Sequence, residues 1–232
     1  MLEALSFAAC RALDSLEAFC KDPALDEIFV RKLREADRDP RQLPHAKRLI
    51  HAALFSPITL PNGARIERLV DAERVLQEME FIYPYPEQAH PALSAPPNAE
   101  VDVRRFVIER GFVKGYIDLV FQHAGLVYVL DWKSDSLPSW DTATVAAHVA
   151  DNYRLQAKLY SLALVKLLRV HDEASYAARF GGFVYTFLRG MSEASGDDTG
   201  VYVERPDWST IVHWEAELRS DALPGATAKG RA

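Results

Sequence analysis

The sequence is poor in cysteine, in long apolar runs and in net positive charge. Cys10 and Cys20 are its two thiols. They are too few for a disulfide framework and short of the four thiolates that an iron–sulfur cluster takes. Both fall in the N-terminal helical stretch, where they read as small apolar side chains. No apolar run approaches the ~20 residues that cross a bilayer as a helix, so no membrane span is expected. The first segment, MLEALSFAACRALDSLEAF, carries Glu3 early and has no basic stretch ahead of its apolar residues. It reads as one amphipathic helix rather than an export signal, and the expected compartment is the cytoplasm. No Gly-x-x-x-x-Gly-Lys-Ser/Thr loop occurs, which excludes a P-loop motor within these residues. Lys and Arg total 27 against 33 Asp and Glu, a net charge of -6. Phosphate binding rests largely on cationic side chains. Tight unaided grip on nucleic acid is therefore excluded unless the basic residues cluster or a partner does the holding.

What is present suits one sizeable α/β domain: 232 residues, 49% hydrophobic and 26% charged. Residues 1–74 read as a helical segment packing on the core. Leu13, Leu16 and Phe19 recur at helical spacing, as do Ile28, Val30 and Leu33, then Leu49, Ile50, Ala53 and Leu54. Pro40 and Pro44 divide the helices, and Pro61-Asn62-Gly63 is a turn. Residues 75–222 form the core. Residues 75–83 read as a helix end running into a strand, and the five prolines from Pro84 to Pro97 mark a loop. Residues 101–112, 113–122, 126–134 and 181–188 read as strands. One long helix is expected over 141–170, capped by Asp141-Thr142, with Val145, Val149, Leu155, Leu159, Leu162 and Val165 as its apolar stripe. Residues 192–200 read as a polar loop and 223–232 as a disordered tail.

The chemistry concentrates in YIDLVFQHAGLVYVLDWKS. If Ala124-Gly125 is a two-residue hairpin loop, His123 pairs with Leu126. Counting back sets Val120 opposite Val129, Asp118 opposite Asp131 and Tyr116 opposite Lys133. Side chains alternate along a strand. Tyr116, Asp118, Val129, Asp131 and Lys133 then share one face, and Ile117, Leu119, Phe121, Tyr128, Leu130 and Trp132 the other. Carboxylates directly opposite lie ~4.5–5.5 Å apart at Cβ and repel. A cation that prefers hard oxygen ligands, such as Mg²⁺, offsets that repulsion. Lys133 lies ~6–7 Å along the strand from Asp131, placed to stabilise charge developing on a phosphate or to help deprotonate a water. The set suits metal-assisted phosphodiester hydrolysis. It is equally compatible with an Asp–Lys–Asp salt-bridge cluster on a solvated sheet face, and a three-residue loop with a bulge would shift the partners.

The stretch GYIDLVFQHAGLVYVLDWKSDSL also resembles the C-terminal nuclease domain of the RecB subunits of bacterial exonuclease V, within the PD-(D/E)xK nuclease superfamily. That family carries a Gly-x-x-Asp strand, an Asp-x-Lys strand and a helix with Gln-x-x-x-Tyr. Here these are residues 115–118, 131–133 and 156–160. QEMEFIYP (77–84), YRLQAKLYSLAL (153–164) and FGGFVYTFLRG (180–190) add to the likeness, which runs from about residue 49 to 206 in order. The resemblance implies an α/β, restriction-endonuclease-like core: a central mixed sheet flanked by helices, with the helical segment ahead of it. It implies Mg²⁺-dependent DNA cleavage, with Mn²⁺ as a substitute, in recombinational repair or DNA degradation. The implied partners are DNA, a helicase and RecC- or RecD-like subunits.

The resemblance also assigns roles. Asp118 and Asp131 would bind the metal with the backbone carbonyl of Trp132, and Lys133 would assist the attacking water. Gln156 and Tyr160, one helical turn apart, would border the active site and contact the DNA strand. Glu80 is either an acid supporting the site or a solvated strand glutamate. One position departs from the family. Its metal-binding His has Leu13-Asp14-Ser15-Leu16 as counterpart, so either Asp14 replaces it as an oxygen ligand or the site is incomplete. His51 matches no ligand position and reads as a surface histidine. The competing function is a catalytically degenerate module that keeps the fold for DNA docking or protein interaction. A resolvase or restriction-type endonuclease of the same superfamily is a third reading. The superfamily's iron–sulfur members are disfavoured by the cysteine count.

Overall fold

Ser6, Ser15 and Asp22 each precede a helix and accept a hydrogen bond from the backbone N–H three residues on. Such caps satisfy the donors that a helix start leaves without partners. They delimit α1 (Phe7–Arg11), α2 (Leu16–Lys21) and α3 (Pro23–Glu35), so that residues 1–19, expected as one amphipathic helix, are split between α1 and α2. Cys10 lies in α1 and Cys20 in α2, both as free thiols. Burial pushes the Cys10 thiol up to about 11, with help from the Asp22 charge. Next comes α4 (Leu43–Phe55). Its Lys47 is buried, donates to the Cys20 carbonyl at 2.9 Å and pairs with Asp26 at 2.6 Å, tying α2, α3 and α4 together. His51 is not a surface histidine: it is buried, stacked on Phe55 at 4.3 Å and edge-on to Phe19. A short hairpin, β1 (Ile58–Thr59) and β2 (Arg65–Ile66), turns at Pro61-Asn62-Gly63 with Gly63 at φ +79.

This computed structural model describes residues 1–84, 106–109, 112–191 and 199–218. The proline-rich stretch beyond residue 84, most of the expected strand 101–112, residues 192–198 and the expected tail 223–232 lie outside the described residues. The sheet begins with β3 (Arg74–Pro84), which is strand from its first residue and has no helical start. β4 (Phe106–Glu109), β5 (Phe112–His123) and β6 (Leu126–Lys133) come next. Then come α5 (Thr142–Asn152), α6 (Arg154–Leu167), α7 (Glu173–Arg179), β7 (Phe180–Phe187), β8 (Val201–Glu204) and α8 (Trp208–Leu218). The strand order is β3-β5-β6-β7-β8, with β4 paired to β5. β6 and β7 run parallel and the other pairs antiparallel, so the sheet is mixed.

Helices cover both faces, which is why β7, FGGFVYTF, is apolar and buried along its whole length rather than alternating. Leu119, Phe121, Tyr128, Leu130 and Val184 pack under the N-terminal helices. Val129, Phe183, Tyr185 and Phe187 pack under α5 and α6. The expected single helix 141–170 is broken at Tyr153, whose φ −125 and ψ 3 leave the helical region. The Asn152 amide donates to the His148 carbonyl beside the break. No helix among the described residues is long and apolar enough to cross a membrane.

Candidate active site

The hairpin closes as the sequence demands. Ala124 and Gly125 take φ +50 and +77, the two-residue turn with both centres left-handed. The register then runs His123↔Leu126, Val120↔Val129 and Leu119↔Leu130. There the backbone pairing stops, one residue short of Asp118 and Asp131. The cause is visible on β3. Gln77 pairs with Leu119 and Met79 with Ile117, and Glu78 between them adopts φ +50. A left-handed residue inverts which face its strand presents. Gln77 donates to the carbonyls of Leu2 and Leu5, on the side of the N-terminal helices. Met79 and Ile117 instead pack on the α6 side. Ile117 is therefore not on the face expected of it, and β5 parts from β6 at Asp118.

Where the strands part, the Trp132 N–H has no β5 carbonyl to meet. It donates instead to Asp118 Oδ2 at 2.9 Å. That peptide is the one joining Asp131 to Trp132, so the carboxylate of Asp118 lies against the Asp-x-Lys strand itself. N–H and C=O of an extended residue leave on the same edge, so the Trp132 carbonyl also faces the gap. A cavity of about 400 Å³ opens beside it, lined among others by Glu3, Glu78, Asp118, Trp132 and Ser134.

On the α6 side Asp131 is fully buried. An ionised carboxylate withdrawn from water needs charge and hydrogen-bond partners. Lys133 Nζ supplies the charge, 2.7 Å from Asp131 Oδ2. Lys133 also donates to Gln156 Oε1. The Gln156 amide points back to Asp131 Oδ1 at 3.3 Å and donates to the Tyr160 hydroxyl at 3.0 Å. Tyr160 donates in turn to the Tyr116 carbonyl at 2.6 Å and lies 3.3 Å from Asp131 Oδ1. The rings of Tyr153 and Tyr185 face Lys133 Nζ at 3.7 and 4.8 Å. Burial, and then the negative charge of Asp131, push the Tyr185 phenol well above its ordinary range.

The structure thus brings Asp131, Lys133, Gln156 and Tyr160 together, with Asp118 and the Trp132 backbone at the adjoining gap. Gln156 and Tyr160 are buried; Gln156 contacts both the Asp131 carboxylate and the Lys133 ammonium, and Tyr160 the carboxylate. Asp14 does not line the cavity. It is exposed in the turn before α2, where it adds weakly to the field that Asp71 exerts on Arg68. Ser15 is the cap there and fixes that turn. Glu80 pairs with Lys114 on the sheet surface at 2.5 Å. Sequence reasoning missed Glu3 and Glu78. The acids of QEMEF stand two apart and read as face-sharing neighbours; only the left-handed backbone at Glu78 separates them. Among the described residues no three His, Cys, Asp or Glu side chains form a ready-made cation cage. The Asp118 carboxylate and the Trp132 carbonyl at the gap are hard oxygens of the kind a divalent cation takes.

A profile described as the PD-(D/E)XK nuclease superfamily matches residues 15–227. The chain belongs to that superfamily. Among its relatives, the RecBCD enzyme subunit RecB of Escherichia coli (strain K12) is 36% identical over 179 residues, covering 70% of this chain and 15% of the relative. RecB of Haemophilus influenzae is 39% identical over 109 residues, 44% of this chain and 9% of the relative. RecB of Borreliella burgdorferi is 27% identical over 179 residues, 68% and 14% respectively. The chain therefore spans roughly a seventh of the length of the first of these relatives. Within this superfamily, the parting of β5 from β6 at Asp118 falls at the Gly-x-x-Asp and Asp-x-Lys strands. The α/β fold with helices on both sheet faces agrees with the membership.

Proposed function

We propose that the chain hydrolyses DNA phosphodiester bonds with Mg²⁺, Mn²⁺ substituting, as the nuclease part of a RecB-like helicase–nuclease. The observation that carries this reading is the buried Asp131–Lys133 pair set one peptide from Asp118, at the point where two strands separate. Asp118, Asp131 and the Trp132 carbonyl would hold the cation. When bound, it supplies polarisation of the phosphate and a water made acidic enough to attack near neutral pH. Lys133 stabilises the negative charge that develops on the phosphate. Gln156 and Tyr160 fix Asp131 and Lys133 in place; they are positioning residues rather than DNA contacts. Glu78 lines the same cavity and is a further acid for the cation or its waters.

The net charge of -6 supports delivery of the substrate by partners, a helicase and RecC- or RecD-like subunits, in recombinational repair or DNA degradation in the cytoplasm. Single strands fit that delivery best. The decisive assay compares degradation of plasmid and single-stranded DNA by the wild type and by Asp131→Ala, with Mg²⁺ or Mn²⁺ present. The wild type degrades DNA and the variant does not; equal degradation by both sinks the reading. A second reading, a degenerate docking module, is favoured by one observation: Asp14 does not line the cavity. No degradation by either protein, with DNA still bound, establishes that reading instead.

A further inference from the structure

Three residues around Lys133 stand outside the chemistry of the cation and its ligands. Asp135 lies two residues beyond Lys133, His148 is on α5, and Tyr153 is the joint between α5 and α6. The Tyr153 hydroxyl donates to the Asp135 carboxylate, 3.0 and 2.9 Å from its two oxygens. His148 Nε2 lies 3.4 Å from the same carboxylate. The His148 ring packs edge-on against Tyr153 at 5.7 Å, and Phe187 closes the other contacts at 6.4 Å. The ring so held is the one that faces the Lys133 ammonium at 3.7 Å.

We infer that Tyr153, anchored through its hydroxyl by Asp135, is a positioning residue whose ring face holds the Lys133 ammonium against Asp131. Cations are attracted to the negative face of an aromatic ring, the more so away from water. The arrangement accounts for the broken helix. Continuous helical geometry through 153 would carry the ring elsewhere, whereas φ −125 and ψ 3 set it beneath Lys133. Asp135 comes shortly after the Asp-x-Lys strand, so one short segment supplies both the ammonium and the anchor of its ring. The inference rests on the nuclease reading for its meaning but not for its test.

The test has one arm that needs no cleavage. In protein carrying isotope-labelled lysine, the Lys133 ε-methylene signal, identified by its loss in Lys133→Arg, lies upfield through the ring currents of Tyr153 and Tyr185. Tyr153→Leu moves it toward the position of exposed lysines, whereas Tyr153→Phe keeps it upfield. Asp135→Ala, which removes this acceptor, moves it part of the way, and Asp135→Asn, which keeps one, does not. The second arm is kinetic. Tyr153→Leu lowers kcat roughly tenfold at unchanged KM for DNA, with Tyr153→Phe retaining most of the rate. An unmoved Lys133 signal in Tyr153→Leu overturns the inference, as does a kcat equal to the wild type's. If Tyr153→Leu fails to fold, Asp135→Ala against Asp135→Asn decides by the same signal. Absence of cleavage in the wild type counts against the nuclease reading alone, because the signal still reports on the ring.

Discussion

At the scale of single residues, Lys133 and Glu78 have opposite prospects. Lys133→Ala leaves the buried Asp131 carboxylate without its counter-charge, and breaking such a pair costs about 3–5 kcal/mol. The metal-free variant should melt well below the wild type and recover part of the loss on adding Mg²⁺. Calorimetry should still detect cation binding while turnover falls about a hundredfold or more; lost cation binding would mean that the lysine's role is misassigned. Glu78 holds φ +50, a conformation that costs a residue with a Cβ roughly 1–2 kcal/mol. Glu78→Gly should therefore raise the melting temperature, Glu78→Ala should not, and both should slow cleavage. A Glu78→Gly protein that is less stable than the wild type would show that the strain is not there. Asp118, Asp131 and Lys133 stood out in the sequence as a group, but their spacing left a salt-bridge cluster equally open, and only the family resemblance singled them out as a site. Glu78 was not, since nothing in QEMEF encodes a left-handed backbone. Asp14 lies in the turn before a helix start rather than inside a helix, a difference that Ser15 as the cap residue settles.

At the scale of elements, the hairpin register was readable up to Leu119↔Leu130, because a two-residue loop leaves one closing pair. Its end was not readable: β5 is steered away by β3, a strand that the same stretch of sequence does not contain. The helix break left one trace, the step from Val149 to Leu155, which skips a turn of the apolar stripe. α5 offers a test of its cap. Bonds from Ser139 and Thr144 hold the Asp141 carboxyl down at about 2, below its ordinary 3.8. A depressed carboxylate stabilises above its unfolded value and loses that contribution as pH falls through its folded one. Melting of wild type and Asp141→Asn should thus differ by a constant amount above pH 3.8 and converge toward pH 2. A gap that persists to pH 2 rules out the charge as its source. At the β6–β7 crossing, Gly182 has φ +126, and a Cβ there would meet the Glu204 carbonyl at 2.5 Å. Gly182→Ala should accordingly lower stability by about 1–3 kcal/mol in denaturant titrations.

At the scale of the whole molecule, the α/β class was legible in strands alternating with helical segments, and the helices flanking the sheet followed from the family resemblance. The surface charge decides how DNA is met. With 33 acidic against 27 basic side chains, the chain alone neutralises few phosphates. Binding of a single-stranded oligonucleotide by Asp131→Ala should be weak, with a shallow dependence on salt, a logarithmic slope of about −2 or smaller in size. A steep slope would place a basic groove on this chain and remove the need for partners to hold the strand.

The bond from the Trp132 N–H to Asp118 gives the site its own gauge. On the proposed reading, a divalent ion in the gap would turn that carboxylate toward the newcomer and leave one amide proton without its acceptor. Deuterium should then enter at Trp132 sooner, while it enters the surrounding strands later because the ion stiffens them. A single amide that quickens as its neighbours slow is a signature that plain tightening of the fold does not produce.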